Sequence, residues 1–189
     1  ALRGLGMTIG EGWPKMLVPP HTPGNRTTLD SGASSQFLSA LLLVGAFMPQ
    51  GLKIELLGPV ASSSYLDLTL RCLEAWGIRY EGKPGSFKVH PGHQAPDHFP
   101  LEADWSSAVY PLMLAGLQQR SLQMEGLRPQ SGQPDEALRK LLPALGMAWD
   151  GKSHWQPVAG QNKPLEMDCS ACPDLVPGLV VWLLMRGIP

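Results

Sequence analysis

The sequence has 189 residues, and its 15 lysines and arginines nearly balance its 16 aspartates and glutamates. This balance argues against a protein that binds nucleic acid or anionic membranes by charge alone, because such proteins carry a basic excess. Hydrophobic residues make up 43% of the chain, which predicts a folded protein with a core of its own. The sequence has three cysteines and no apolar run long enough to cross a bilayer. It also does not open with a basic segment followed by an apolar leader. These features predict a cytoplasmic protein.

The predicted elements of the first half alternate between helix and strand. In chain order they are a helix at 34–48, a strand at 52–57, a helix at 65–76 and short strands at 78–80 and 86–90. The first helix is apolar on nearly every side, which predicts that it is buried. Leucines recur at helical spacing in the second helix, and Gly77 follows it as a C-terminal cap.

The second half repeats this order of elements. Its predicted elements are a helix from about Ser106, a strand at 122–125, a helix opened by Pro134 and an apolar helix at 173–185. Leucines at helical spacing give the helix after Pro134 one apolar face. Pro143 is expected to kink or end that helix, because proline lacks the N–H group that an interior position needs.

Two independent sequence markers recur with a period of about 70 residues. Segment 52–59 matches segment 122–129 at an offset of 70, with identical residues at four positions. A Leu-x-x-x-Gly signature occurs three times, and its glycines, Gly6, Gly77 and Gly146, are 71 and 69 residues apart. A period of this length suits a small α/β unit, so the sequence predicts a repeated α/β fold.

The chain starts and stops in the middle of this repeat. Residues 2–9 form the end of one unit, and helix 173–185 opens a unit whose strand and second helix do not follow. We therefore expect the chain to be part of a longer protein of several units, with a break between units near residues 100–102.

Hydrogen-bond donors cluster at the start of helix 34–48. Ser34, Ser35 and Gln36 follow an Asp30-Ser-Gly turn and open an otherwise apolar helix. The first turn of a helix has unpaired N–H groups and a partial positive charge, so a buried start suits a phosphate or a carboxylate. A serine cap beside a glycine-containing turn explains the same residues without any ligand. Composition alone leaves both interpretations open.

Segment 31–43 closely resembles the Ser-Ser-Gln helix of the 5-enolpyruvylshikimate-3-phosphate (EPSP) synthase family. Further segments follow that family in order, at 62–70, 102–108, 133–135 and 167–174. The resemblance implies an α/β (α+β) fold of repeated βαβαββ units in two three-unit lobes, truncated here at both ends. Residues 1–100 would be the end of the first lobe, and residues 101–189 the start of the second.

The resemblance also implies the reaction of the whole enzyme. The enolpyruvyl group of phosphoenolpyruvate would be transferred to the 5-hydroxyl of shikimate 3-phosphate, a step of aromatic amino acid (chorismate) biosynthesis. The family works without a cofactor or a metal, and a monomer with no nucleic-acid or membrane partner is expected. Asp174 matches the carboxylate that takes the 5-hydroxyl proton as the new C–O bond forms.

Five residues match substrate-binding positions of the family. The resemblance implies that Ser34, Ser35 and Ser62 contact the shikimate phosphate. Gln36 matches an amide between the two substrates, and Tyr65 matches a ring that lines the same pocket. Other family positions, including the arginines that bind phosphoenolpyruvate, have no counterpart in these residues. We therefore expect half of a shikimate-phosphate site and no catalysis by this chain alone.

One departure from the family follows Asp174, where Leu175-Val-Pro-Gly178 replaces a run of small residues and leaves the start of that helix open. A lone Cys169-x-x-Cys172 pair lacks the second pair that a structural zinc site needs, so we expect no metal. Two alternative functions remain. One is an enolpyruvyl transferase acting on a UDP-linked amino sugar, which shares the repeat but not the Ser-Ser-Gln helix. The other is a non-catalytic α/β repeat module, which predicts no binding of small anions and an exposed apolar surface.

Overall fold

A computed structural model describes residues 1–12, 17–18, 23–32, 34–60, 63–92, 96–161 and 163–188. The chain divides into two compact units, Ala1–Asp97 and His98–Pro189. Each unit has its own sheet and its own hydrophobic core. The assignment of residues 1–100 and 101–189 to two lobes of a larger enzyme stays a prediction.

The first unit contains one complete β-α-β-α-β-β series. Its elements are β1 (Thr8–Ile9), β2 (Leu17–Val18), β3 (Arg26–Asp30), α1 (Ser35–Gly45), β4 (Leu52–Leu57), α2 (Ser63–Ala75), β5 (Tyr80–Lys83) and β6 (Ser86–Val89). β1 and β2 form a separate antiparallel pair. The main sheet has the order β3-β4-β6-β5, in which only the β3–β4 pair is parallel. This series confirms the predicted repeat unit, although β3 was not among the predicted strands.

Helix α1 packs one face on the sheet of the first unit. Leu38 and Leu42 of α1 are fully buried, together with Leu52 and Ile54 of β4. A side chain at Gly45 would lie 2.9 Å from Leu52 Cβ, so glycine allows α1 to approach β4 closely. The rest of the helix surface carries three large exposed side chains, Phe37, Leu43 and Val44. The prediction that this helix is buried on nearly every side is therefore wrong, because these three side chains are about half exposed.

The second unit has a three-stranded antiparallel sheet. Its elements are α3 (Trp105–Leu117), β7 (Leu122–Gln123), α4 (Leu138–Leu141), β8 (Met147–Trp149), β9 (His154–Pro157) and α5 (Val176–Arg186). The strand order is β7-β9-β8. A 3-10 turn at Pro134–Ala137 precedes α4, which ends at Leu141 before Pro143, as the proline rule predicts. Strands β8 and β9 were not predicted.

The sequence repeat is also a repeat of backbone geometry. Gly6, Gly77 and Gly146 all adopt the left-handed conformation, with φ values of 85°, 67° and 84°. In each case the following N–H group bonds to the carbonyl five residues back: Met7 to Leu2 (3.2 Å), Ile78 to Leu73 (2.9 Å) and Met147 to Leu142 (2.8 Å). This is the Schellman arrangement, which favours glycine because a left-handed residue with a side chain is strained.

Close packing at glycines joins α3 and α5 in the second unit. A Cβ atom on Gly178 of α5 would lie 2.5 Å from Cγ1 of Val109, a fully buried residue of α3. A Cβ atom on Gly116 of α3 would lie 2.8 Å from the ring of Trp182, which is also fully buried. Both helices therefore approach each other at positions where only glycine fits.

Two side chains organise the start of α3. The Asp104 carboxylate accepts the N–H of Ser106 (2.9 Å) and the hydroxyl of Ser107 (2.6 Å). Gln133 accepts the N–H of Trp105 at 2.8 Å and donates to the carbonyl of Ala103 at 2.9 Å. Partial burial raises the pKa of Asp104, but the bonds from Ser107 and Ser106 outweigh it and hold the pKa below its ordinary value. The charged form of Asp104 is thus favoured by folding.

Replacing Asp104 with alanine should lower the free energy of unfolding by about 1 kcal/mol at neutral pH, because the helix loses its N-cap. The native pKa is lowered, so this contribution is complete above the ordinary aspartate pKa of about 3.9 and is lost as the pH falls through the native value. Urea unfolding of both proteins between pH 2 and pH 7 measures the difference. Asp104→Asn, which keeps the acceptor without the charge, is the control. A difference in the free energy of unfolding that stays constant down to the lowest pH would contradict the prediction.

Replacing Gly178 with alanine should destabilise the protein by about 1–3 kcal/mol, the usual cost of overpacking a core. Helix propensity alone would favour alanine by about 1 kcal/mol, but the stiff, buried Val109 side chain has no room to move away. Urea unfolding measures the change. In a Val109→Ala background the same substitution should cost much less, because the obstructing methyl groups are gone. Equal costs in both backgrounds would contradict the packing argument.

Candidate functional site

The parallel pairing of β3 and β4 brings two helix starts to one edge of the first sheet. Asp30 at the end of β3 lies opposite Leu57 at the end of β4. The chain leaves both strands at this edge, into α1 after β3 and into α2 after β4. Both helices therefore direct their N-terminal N–H groups, which carry partial positive charge, towards the same edge.

Helix α1 begins with uncharged polar groups. Ser34 is the N-cap, and its hydroxyl oxygen accepts the N–H of Gln36 at 3.2 Å. Ser35 is buried, whereas Gln36 is exposed. The first turn contains no acidic residue, and the nearby Asp30 carboxylate accepts the N–H of Gly32 at 3.1 Å. The helix start thus offers N–H, hydroxyl and amide donors without a carboxylate of its own in that turn.

The start of α2 lies beside that of α1. Tyr65 is half-buried in the first turn of α2, and its carbonyl accepts the hydroxyl of Thr69 at 3.0 Å. The Thr69 hydroxyl also lies 2.8 Å from the hydroxyl of Ser39 on α1, which ties the two helices together. The structure thus brings Tyr65 to the same sheet edge as Ser34, Ser35 and Gln36. Ser62 lies outside the described residues.

The loops that carry these residues are joined by Ser31, which was not among the predicted site residues. Ser31 is completely buried, and its hydroxyl donates to the carbonyl of Gly58 at 2.8 Å. The only sequence signal for it was its place in the Asp-Ser-Gly turn before α1.

The equivalent helix start in the second unit is chemically different. Asp104 lies 70 residues after Ser34 and occupies the N-cap of α3 with a carboxylate. That carboxylate already accepts two hydroxyl groups and a backbone N–H. Ser106 and Ser107 therefore form an ordinary helix cap together with Asp104. The Asp104 carboxylate would repel a bound anion at this helix start, so the start of α3 is unfavourable for anion binding.

Asp174 lies a further 70 residues along the chain, in the second unit. It belongs to a 3-10 turn, Pro173–Leu175, that leads directly into α5. Its side chain is exposed, and within the described chain no hydrogen bond or ion pair engages its carboxylate. Leu175 is buried and Pro177 lies in the first helical turn, where a missing N–H group costs nothing. The unusual Leu-Val-Pro-Gly sequence therefore still begins a helix directly after Asp174.

The two cysteines near Asp174 are free thiols. Burial raises the pKa of Cys172 to about 11, so this thiol stays protonated at neutral pH. Among the residues that the structure describes, no group of three or more His, Cys, Asp and Glu side chains could hold a metal ion. Within the same residues, no helix has the length and apolar character needed to cross a bilayer.

Comparison with known proteins identifies the family of the chain. A family model described as EPSP synthase (3-phosphoshikimate 1-carboxyvinyltransferase) matches residues 1–186. The 3-phosphoshikimate 1-carboxyvinyltransferase of Thermococcus kodakarensis is 34% identical over 183 residues, covering 96% of this chain and 44% of the relative. The chain thus spans less than half the length of this curated relative.

Solved structures show the same fold. The EPSP synthase from Acinetobacter baumannii matches with a TM-score of 0.57 and 18% identity, over 95% of this chain and 44% of that one. The enolpyruvyl transferase NikO from Streptomyces tendae matches with a TM-score of 0.55 and 17% identity, over 96% of this chain and 47% of that one. On the strength of the family model, which covers nearly the whole sequence, this chain belongs to the EPSP synthase family.

Proposed function

We propose that this chain is part of an enzyme that transfers the enolpyruvyl group of phosphoenolpyruvate to the 5-hydroxyl of shikimate 3-phosphate. The chain would supply the half-site for the shikimate phosphate. The observation that carries the proposal is the uncharged start of α1, with Ser34, Ser35 and Gln36, beside the start of α2 at one sheet edge. The relative from Thermococcus kodakarensis, which is 34% identical, is named 3-phosphoshikimate 1-carboxyvinyltransferase, a name that describes the same reaction.

A phosphate group fits this edge for electrostatic reasons. It brings negative charge and several acceptor oxygens to N–H groups that have no partner within their own helix. The hydroxyls of Ser34 and Ser35 and the amide of Gln36 add donors at the same end of α1. Hydrogen bonds to a charged group are stronger than those between neutral groups. The sheet edge would therefore hold the phosphate, and Tyr65 would lie against the remainder of the substrate.

Asp174 is proposed as the base of the reaction. The 5-hydroxyl must lose its proton as its oxygen bonds to the enolpyruvyl carbon, and the Asp174 carboxylate, which no described residue engages, is available to take it. We do not propose that these residues bind phosphoenolpyruvate or complete the active site by themselves. We therefore expect no turnover by this chain alone, and a monomeric, cytoplasmic enzyme when the remaining segments are present.

The two alternatives differ from this proposal in what they bind. A transferase acting on a UDP-linked amino sugar would not need the Ser-Ser-Gln helix, so the presence of Ser34–Gln36 favours shikimate 3-phosphate. A non-catalytic module would expose apolar surface, and Phe47 and Leu184 are indeed both 72% exposed. That exposure is equally expected of a chain that spans less than half of its relatives. Binding of a small phosphorylated ligand separates the module from both transferases.

Calorimetric titration of this chain should detect binding of shikimate 3-phosphate but no binding of shikimate, which lacks the phosphate. Ser35→Ala should weaken binding by about 10–100-fold, because a hydrogen bond to a charged group contributes about 1.5–3 kcal/mol. Ser39→Ala is the matched control, since Ser39 lies on the same helix but faces Thr69 of α2. No heat with millimolar shikimate 3-phosphate, or equal binding of both ligands, would contradict the proposed half-site.

Asp174→Asn should lower kcat by about 10²–10⁴-fold in an enzyme completed with the remaining segments, because asparagine cannot accept the proton. Affinity for shikimate 3-phosphate should change far less, so steady-state kinetics and binding must be measured together. Asp168→Asn is the control, because the Asp168 carboxylate is exposed and accepts the N–H of Ser170 in its own turn at 2.8 Å. Turnover at the unmodified rate in Asp174→Asn would exclude Asp174 as the base.

A further inference from the structure

Ser31 makes an unusual set of contacts for a residue in a loop. It lies directly after β3 and is completely buried. Its N–H group donates to the carbonyl of Leu57 at 3.2 Å. Its hydroxyl lies 2.8 Å from the carbonyl oxygen of Gly58, with those of Pro59 and Leu57 at 3.2 and 3.3 Å. The single hydroxyl proton is best directed at Gly58, and the other two oxygens are alternative acceptors.

The partner loop is shaped to receive this hydroxyl. Three consecutive carbonyl groups, from Leu57 to Pro59, converge on one side chain because Gly58 adopts a left-handed conformation with φ of 85°. A Cβ atom on Gly58 would meet nothing within 4 Å. Glycine is therefore required at this position by the backbone conformation and not by lack of space.

Ser31 connects the two loops that lead to the candidate half-site. Three residues after Ser31 the chain reaches Ser34, the N-cap of α1. Four residues after Pro59 it reaches Ser63, the first residue of α2. No other hydrogen bond given by the described residues joins these two loops, whereas Ser39 and Thr69 join the helices further along. Ser31 thus lies where it can fix the spacing between the two helix starts.

We propose that Ser31 is a positioning residue, which clamps the β3–α1 loop to the β4–α2 loop so that both helix starts face one phosphate. This inference rests on the proposed function of the same edge. Ser31 does not touch the ligand, so its effect is to keep the donors of both loops at a fixed spacing before binding. If the donors are already ordered before binding, no conformational entropy is lost in ordering them, and the affinity is higher. An uncharged clamp also adds no negative charge beside the phosphate.

The test compares Ser31→Ala, Gly58→Ala, the double variant and the control Ser39→Ala in this chain. Ser31→Ala removes the donor, and Gly58→Ala strains the acceptor loop without filling any occupied space. Ser39→Ala also removes one serine hydrogen bond of the first unit, but it leaves both loops unchanged. Hydrogen exchange of the residue 31 amide, measured by NMR, reports on the loop pair without any ligand. Urea unfolding of each variant gives its stability.

Exchange at residue 31 should become about tenfold faster in Ser31→Ala and in Gly58→Ala, and should stay unchanged in Ser39→Ala. Affinity for shikimate 3-phosphate should fall by about tenfold in the same two variants. The double variant should bind no more than about twofold more weakly than the weaker single variant, because both substitutions break one interaction. Ser39→Ala should lose stability without losing affinity.

Two results would overturn the inference. In the first, the loss of affinity follows the loss of stability, so that Ser39→Ala binds shikimate 3-phosphate as weakly as Ser31→Ala when both are equally destabilised. The other is unchanged exchange at residue 31 in Gly58→Ala, which would show that the two loops are not held through this contact. If the unmodified chain binds no shikimate 3-phosphate but the exchange effects appear, the clamp stands and the proposed half-site fails.

Discussion

The parallel pairing of β3 with β4 is the constraint on which the rest of the first unit depends. Parallel strands end at the same edge of a sheet, so the helices that follow them must start side by side. The register fixes this edge, with Asp30 opposite Leu57, and the Ser39–Thr69 hydrogen bond holds α1 and α2 together beyond it. The antiparallel strands β5 and β6 only extend the sheet. The candidate half-site is thus a consequence of strand direction before any side chain is considered.

Three positions of the sequence repeat carry side chains of different chemistry near the start of a helix. Positions 34, 104 and 174 are separated by 70 residues each, and all three lie at or next to a helix start. Ser34 is neutral, so its helix start can accept an anion. Asp104 satisfies its helix start internally, with Ser106 and Ser107. Asp174 is exposed and caps no helix among the described residues, which suits the proposed proton transfer. The side chain at this repeat position therefore differs between the proposed binding at Ser34, the observed capping at Asp104 and the proposed catalysis at Asp174.

The sequence predicted those parts of the fold that local patterns determine. Helices α1 and α2 and strand β4 have long apolar patterns. Gly77 ends α2, and Gly146 ends the turn after α4, both in a left-handed conformation that favours glycine. Strands β8 and β9 were missed because each has only three or four residues, and their pairing depends on Trp149 stacking on Trp155 across the strands, with ring centroids 4.8 Å apart. Strand β3 is mostly polar, and its buried Thr27 is satisfied only by the distant carbonyl of Ala1. The Ser31 clamp needs a left-handed Gly58 that is 27 residues away, which no local pattern contains.

The location of these features explains why binding and turnover should have different requirements. Ser34, Ser35, Gln36, Tyr65 and the Ser31 clamp all belong to the first unit, which has its own sheet and its own core. The arrangement of the proposed phosphate donors is therefore set by contacts within the first unit. Asp174 belongs to the second unit and depends on other contacts, those that begin α5 after the Pro173–Leu175 turn. The proposed phosphate half-site thus depends on contacts of the first unit alone, whereas the proposed proton transfer depends on contacts within the second unit.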